Sequence, residues 1–113
     1  MEIIGRKKLE KLKRKNRGNI PLTSAIDDFL NELENKNWRN QDELKSDRPD
    51  ADNVHSEGFY FFDINIHRTM ILIEFDEMEA TIVWCGSHDE YELTFRNNKL
   101  TIKKWLRNKG FIN

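Results

Sequence analysis

Apolar and polar positions along this chain follow two rhythms, one close to the turn of a helix and one close to the two-residue repeat of a strand. The helical rhythm comes first. Between Arg6 and Lys15, Leu9 and Leu12 share one side and every other position is charged, which predicts a helix ended by Arg17-Gly18-Asn19. Ile26, Phe29, Leu30 and Leu33 then recur at three- and four-residue steps. They predict a second helix that starts near Pro21 or Thr23 and ends before Trp38, with Asp27 and Asp28 in its first turns, where the helix dipole favours acids. Ahead of Gly5, Met1 to Ile4 reads either as a short strand or as the lead into the first helix.

Residues 39–58 are polar and contain Pro49 and Gly58, so they read as a long loop with one helical turn around Asp42 to Lys45. The rhythm then changes. Phe59-Tyr60-Phe61-Phe62 followed by Ile64 is the continuous apolar run of a central strand. Asn65 to His67 form a tight connection. From Arg68 to Phe75 the pattern alternates: Ile71, Ile73 and Phe75 point one way, and Arg68, Met70, Leu72 and Glu74 the other. A turn over Asp76 to Glu79 leads to a third strand, Ala80 to Cys85, ended by Gly86, and a last helix is predicted from Thr101 to Lys109. Helices segregated from a meander predict an α+β fold, a small antiparallel sheet with the N-terminal helices packed on one face and a C-terminal helix. The other face, with Arg68 and Glu74, is expected to be at least partly open.

Composition supports one folded domain over residues 1–113: seven Phe, three Trp and two Tyr supply a core although 35% of residues are charged. No apolar run reaches the roughly 18 residues of a membrane span. The basic N-terminus has no apolar signal segment, so a cytoplasmic location and no membrane contact are expected. A single cysteine, Cys85, excludes an internal disulfide framework, and His55, His67 and His88 lack ligand spacing, so no metal and no cofactor are expected. Charge alters the picture more. Residues 1–19 carry eight Lys/Arg against two Glu, residues 20–94 carry five against eighteen acids, and residues 95–113 carry six and no acid. Two basic ends flank an acidic middle. If the ends meet they form one positive surface suited to an anionic partner such as RNA; if not, they are solvated helix faces.

The densest group of chemically useful side chains is Gly86-Ser87-His88-Asp89-Glu90-Tyr91, directly after a predicted strand. Histidine gives or takes a proton near neutrality, Glu90 is a candidate base, and Tyr91 offers a hydroxyl. The same letters spell a capping box, Ser87 with Glu90 three positions on, and a capped helix start is also an anion site, so both readings stand. Arg68 is a candidate phosphate clamp or the partner of a nearby acid such as Glu74. Lys45 and Arg48 in the long loop are further candidate cations.

Taken in order, these blocks resemble the HigB-type toxins of the RelE superfamily. The similarity runs through Trp38-Arg39-Asn40, Glu43-Leu44-Lys45, Pro49-Asp50-Ala51-Asp52-Asn53-Val54, Tyr60-Phe61-Phe62-Asp63-Ile64, the strand opened by Arg68, and Gly86 to Tyr91. Where that family often has a strand arginine, this chain has Val83. The resemblance implies a type II toxin that cleaves mRNA, on the translating ribosome, by attack of a ribose 2′-hydroxyl on the adjacent phosphate. A helix-turn-helix, HigA-like antitoxin would neutralise it in a hetero-oligomer. It further implies that Arg68, His88, Glu90 and Tyr91 are catalytic, and that Lys45, Arg48, Lys103 and Lys104 hold RNA or ribosome. A non-catalytic RNA- or protein-binding module on the same fold is the alternative.

Overall fold

A computed structural model describes residues 1–113. Its elements, in chain order, are β1 (Glu2–Ile4), α1 (Lys7–Lys15), α2 (Ile20–Asn35), α3 (Gln41–Asp47), β2 (Asp52–His55), β3 (Phe59–Ile64), β4 (His67–Glu74), β5 (Glu79–Ser87), α4 (His88–Phe95) and α5 (Lys99–Asn108). The strands form one sheet in the order β1-β5-β4-β3-β2. Neighbours are antiparallel except at one edge, where β1 runs parallel to β5 and pairs Glu2 with Glu79. The fold is therefore α+β with a mixed five-stranded sheet.

Local chemistry explains the boundaries. Asn19 caps α2 by accepting from the Leu22 amide, and Pro21 occupies the first turn, where a missing N–H costs nothing. Leu9 buries one stripe of α1 against the sheet, and Lys13 Nζ reaches Asp27 Oδ1 of α2 at 2.8 Å. Between β2 and β3, Gly58 takes φ +97°, and a Cβ there would lie 2.7 Å from the Ile73 carbonyl oxygen, so only glycine closes this turn.

The sheet is buried on both sides. Under α1, α2 and α3, a first cluster joins Phe29, Leu30 and Leu33 to Tyr60, Phe62, Ile71, Ile73 and Ile82. Under α4 and α5, a second joins Phe61, Met70, Val83, Tyr91 and Phe95 to Ile102 and Leu106. The alternation expected for β4 holds, because Ile71, Ile73 and Phe75 belong to the first cluster while Met70 and Leu72 face the second. The expectation of an open second face does not hold. α4 follows β5 without a loop and lays Tyr91 and Phe95, four residues apart, onto that face, and α5 covers the rest. Of the two readings of Met1 to Ile4 the strand holds, as β1 over Glu2–Ile4. One further difference is that the expected long loop with one helical turn contains α3, a two-turn helix, and β2.

Candidate functional site

Three adjacent strands converge beneath the start of α4. Arg68 pairs across the sheet with Asp63 of β3 on one side and with Gly86 of β5 on the other. Its Nε donates to Asp63 Oδ1 at 3.2 Å. The guanidinium carbon lies 4.6 Å from the Tyr91 ring centroid and 5.0 Å from that of Phe61. These ring faces attract the cation while Asp63 takes only the Nε–H. Tyr91 is 2% exposed, and its hydroxyl donates to Asn97 Oδ1 at 2.9 Å. Burial pushes its phenol above the ordinary tyrosine value, so it is neutral at physiological pH. His88, with 64% of its side chain exposed, stacks on the same tyrosine at 6.0 Å and 24°, and its Nε2 lies 3.5 Å from Glu92 Oε1. Arg68, Tyr91 and His88 thus form one cluster, with a cation and an imidazole both seated on a phenol ring.

Glu90 is used differently. Ser87 Oγ accepts from the Glu90 amide at 3.1 Å, and Glu90 Oε1 accepts from the Ser87 amide at 2.9 Å, which completes the capping box read in the sequence. The bond from the Ser87 amide holds the Glu90 carboxyl below the usual glutamate range. The side chain turns toward a cleft of about 810 Å³ that runs between α1 and the C-terminal end of α5, along the part of β5 that β1 leaves uncovered. His67 lines the same cleft, 9% exposed, and its buried Nδ1 has no hydrogen-bond partner. Burial lowers its pKa from 6.5, which keeps the ring neutral at pH 7. Cys85 also borders the cleft, but burial pushes its thiol up to about 11, so it carries no reactive thiolate. The cleft is walled by Lys8, Lys11 and Lys15 on one side and reached by Lys109 on the other, so the two basic ends of the chain do meet.

The expected RNA-holding residues are not gathered at this place. Lys45 is exposed on α3, across the sheet from Arg68. Lys103 and Lys104 are exposed on α5, and Lys103 borders a shallow hollow beside His55. Arg48 is engaged by its own chain. Its guanidinium donates to Glu32 at 3.0 Å, to Asp50 at 2.8 Å and to the Asp63 carbonyl at 3.0 Å, and it lies over the Phe29 and Phe62 rings. It joins α2 to the turn before β2 and to β3. Val83, at the position of the family's frequent arginine, is packed in the second cluster. No three His, Cys, Asp or Glu side chains are grouped to hold a metal ion, and no helix is long and apolar enough to cross a membrane.

His67, which the sequence offers only as a histidine without ligand spacing in a tight connection, opens β4 beside Arg68 and lies opposite the Ser87 cap. The row of Lys8, Lys11 and Lys15, spaced for one helix face, was readable. A family model described as HigB_toxin, RelE-like toxic component of a toxin-antitoxin system, matches residues 22–94, from the first turn of α2 almost to the end of α4. No curated protein matches the chain.

Proposed function

The chain belongs to the HigB toxin family, whose members are RelE-like toxic components of toxin–antitoxin systems, and on that premise we propose that it is an endoribonuclease that cleaves mRNA on the translating ribosome. Family membership brings an antitoxin partner; our reading makes it a helix-turn-helix, HigA-like protein that binds the toxin in a hetero-oligomer. The observation that carries the catalytic reading is the seating of Arg68 and His88 on the Tyr91 ring at the capped start of α4.

In this reaction a ribose 2′-oxygen forms a bond to the adjacent phosphorus and the bond to the 5′-oxygen breaks, leaving a 2′,3′-cyclic phosphate and a 5′-hydroxyl. One proton leaves the attacking hydroxyl and one reaches the departing oxygen, while negative charge builds on the phosphate. Arg68 neutralises that charge, and the ring faces beneath it together with the Nε–H bond to Asp63 fix its direction. His88 is the solvent-open proton carrier. Tyr91 is the platform that positions both. Glu90 closes the cap that presents this turn, and Glu90→Gln tests whether it also moves a proton, because glutamine keeps an oxygen for the cap.

Induced expression of the wild type is expected to arrest growth and to leave new RNA 5′ ends inside translated messages. Arg68→Ala should lower cleavage at those sites by about a hundredfold or more. Folded Arg68→Ala and His88→Ala proteins that remain as toxic as the wild type would sink the site assignment. The burial of Val83 and the engagement of the Tyr91 hydroxyl by Asn97 favour the second reading, a binding module without cleavage. Normal growth with intact RNA and abundant folded protein would select it.

A further inference from the structure

We propose that the cleft between α1 and the end of α5 is a binding site for single-stranded RNA, with phosphates along Lys8, Lys11 and Lys15 and an unpaired base on the aromatic pair Trp105 and Phe111. The proposal rests on the reading of RNA as this protein's ligand, and it assigns that ligand a second surface beside the Arg68 cluster, whose two walls come from segments outside residues 22–94 and whose floor is β5 with His67 and Glu90.

The first observation is where the charge is left free. Lys13 of α1 is paired with Asp27, and Arg6, just before α1, with Glu34, both on the side toward α2. Lys8, Lys11 and Lys15 are spaced three and four apart, are exposed, take part in no ion pair and face the cleft. A row of unpaired cations on one helix face costs repulsion unless an anion lies along it. The second observation is the opposite wall. Trp105 and Phe111 stack nearly parallel, 11° apart at 6.2 Å, and Lys109 Nζ lies 5.7 Å over the Trp105 ring. Phe111 is 37% exposed, and the chain is folded back by a bond from its amide to the Leu106 carbonyl at 2.9 Å, which sets the two rings together. Cations tracking a backbone beside an exposed ring, Phe111, backed by the half-buried Trp105 are the combination that single-stranded nucleic acid requires, since every base has a face to stack. The third observation lies on the cleft's lining. His67 lies there, 9% exposed, and its buried Nδ1 has no hydrogen-bond partner. A duplex hides its base faces, so the arrangement selects an unpaired strand.

The test uses the full chain and a fluorescent, single-stranded 2′-O-methyl polyuridine oligonucleotide, which cannot be cleaved through a 2′-hydroxyl. Anisotropy is measured across a range of salt, and cleavage of translated messages is followed in parallel. Replacing Lys8, Lys11 and Lys15 together by Gln should weaken binding and lower the slope of log affinity against log salt by about two units. Trp105→Leu, which keeps an apolar side chain against Phe95, should weaken binding about tenfold with little change in slope. Both variants should keep the circular dichroism of the wild type. The matched duplex should bind more weakly than the single strand.

Unaltered affinity and slope in a folded triple variant would overturn the cleft, and cleavage by the wild type in the same preparation would leave the enzyme reading standing. The expected binding pattern without cleavage of any message would do the reverse. An acidic peptide that binds as tightly as the oligonucleotide and is equally weakened by Trp105→Leu would replace RNA with a protein partner and overturn the proposal.

Discussion

Arg48 and Arg68 each lie over two aromatic rings, but their other partners give them different work. Arg48 meets two carboxylates and a carbonyl from three separate parts of the chain, whereas Arg68 meets one carboxylate through Nε alone. Nothing local in the sequence distinguishes them, because Glu32 lies sixteen residues from Arg48 and comes beside it only once α2 has docked. His67 is a similar case, and it carries a pH prediction. Its folded-state pKa is lowered from 6.5 by burial, so the unfolded chain binds the extra proton first as pH falls. Stability tied to His67 is therefore fully present above 6.5 and declines as pH drops from there toward the lowered value. Urea titrations between about pH 7.5 and 5.5 should show the wild type losing stability more steeply than His67→Gln. Parallel curves would mean that the ring does not stay neutral in the folded state.

At the scale of elements, α4 depends on its first turn. Ser87→Ala removes the oxygen that satisfies the Glu90 amide and should cost about 1 kcal/mol, read as a lower urea midpoint at unchanged slope. Because the same turn presents His88 and Tyr91, cleavage should fall as well. A variant with wild-type stability would show that the packing of Tyr91 and Phe95 alone sets the helix. The capping box was legible as four letters, yet the full helix was not, since Leu93 is 81% exposed and breaks the apolar stripe of a two-turn element. The short edge strands were hard to read for a related reason. β2 has one buried apolar residue, Val54, and β1 is three residues long, so β2 reads as loop and β1 as either a strand or the lead into a helix. The central strands and α2 were readable because their patterns repeat several times over a buried surface. The side chains grouped after β5 are adjacent in the sequence, from Ser87 to Tyr91, and so can be picked out from their letters. The splitting of Glu90 from His88 and Tyr91, and the cleft itself, arise only when α1 and α5 are brought to the same edge of the sheet.

For the whole molecule, the sheet divides two cores, and each is completed by an end of the chain. Met1 and Leu9 enter the first, and Ile102, Leu106 and Ile112 enter the second. The matched segment therefore holds the central sheet and the chemical cluster, while the flanking segments supply closure and most of the free positive charge.

The parallel pairing of β1 with β5 also governs the order of events when the chain folds. Glu2 and its partner Glu79 are seventy-seven residues apart, whereas β3, β4 and β5 are joined by short turns. Closing the short turns costs less chain entropy, so the meander forms early and β1 docks on it late. On a ribosome adding about 5–20 residues each second, β1 waits roughly 4–15 s before its partner strand has even been synthesised. Ile3→Ala should thus accelerate unfolding and leave the refolding rate nearly unchanged, a pattern that stopped-flow chevrons read directly. Slower refolding would place β1 in the nucleus instead. A late-docking strand at the sheet's edge makes the length of time this toxin stays assembled, more than the speed with which it forms, the quantity that β1 controls.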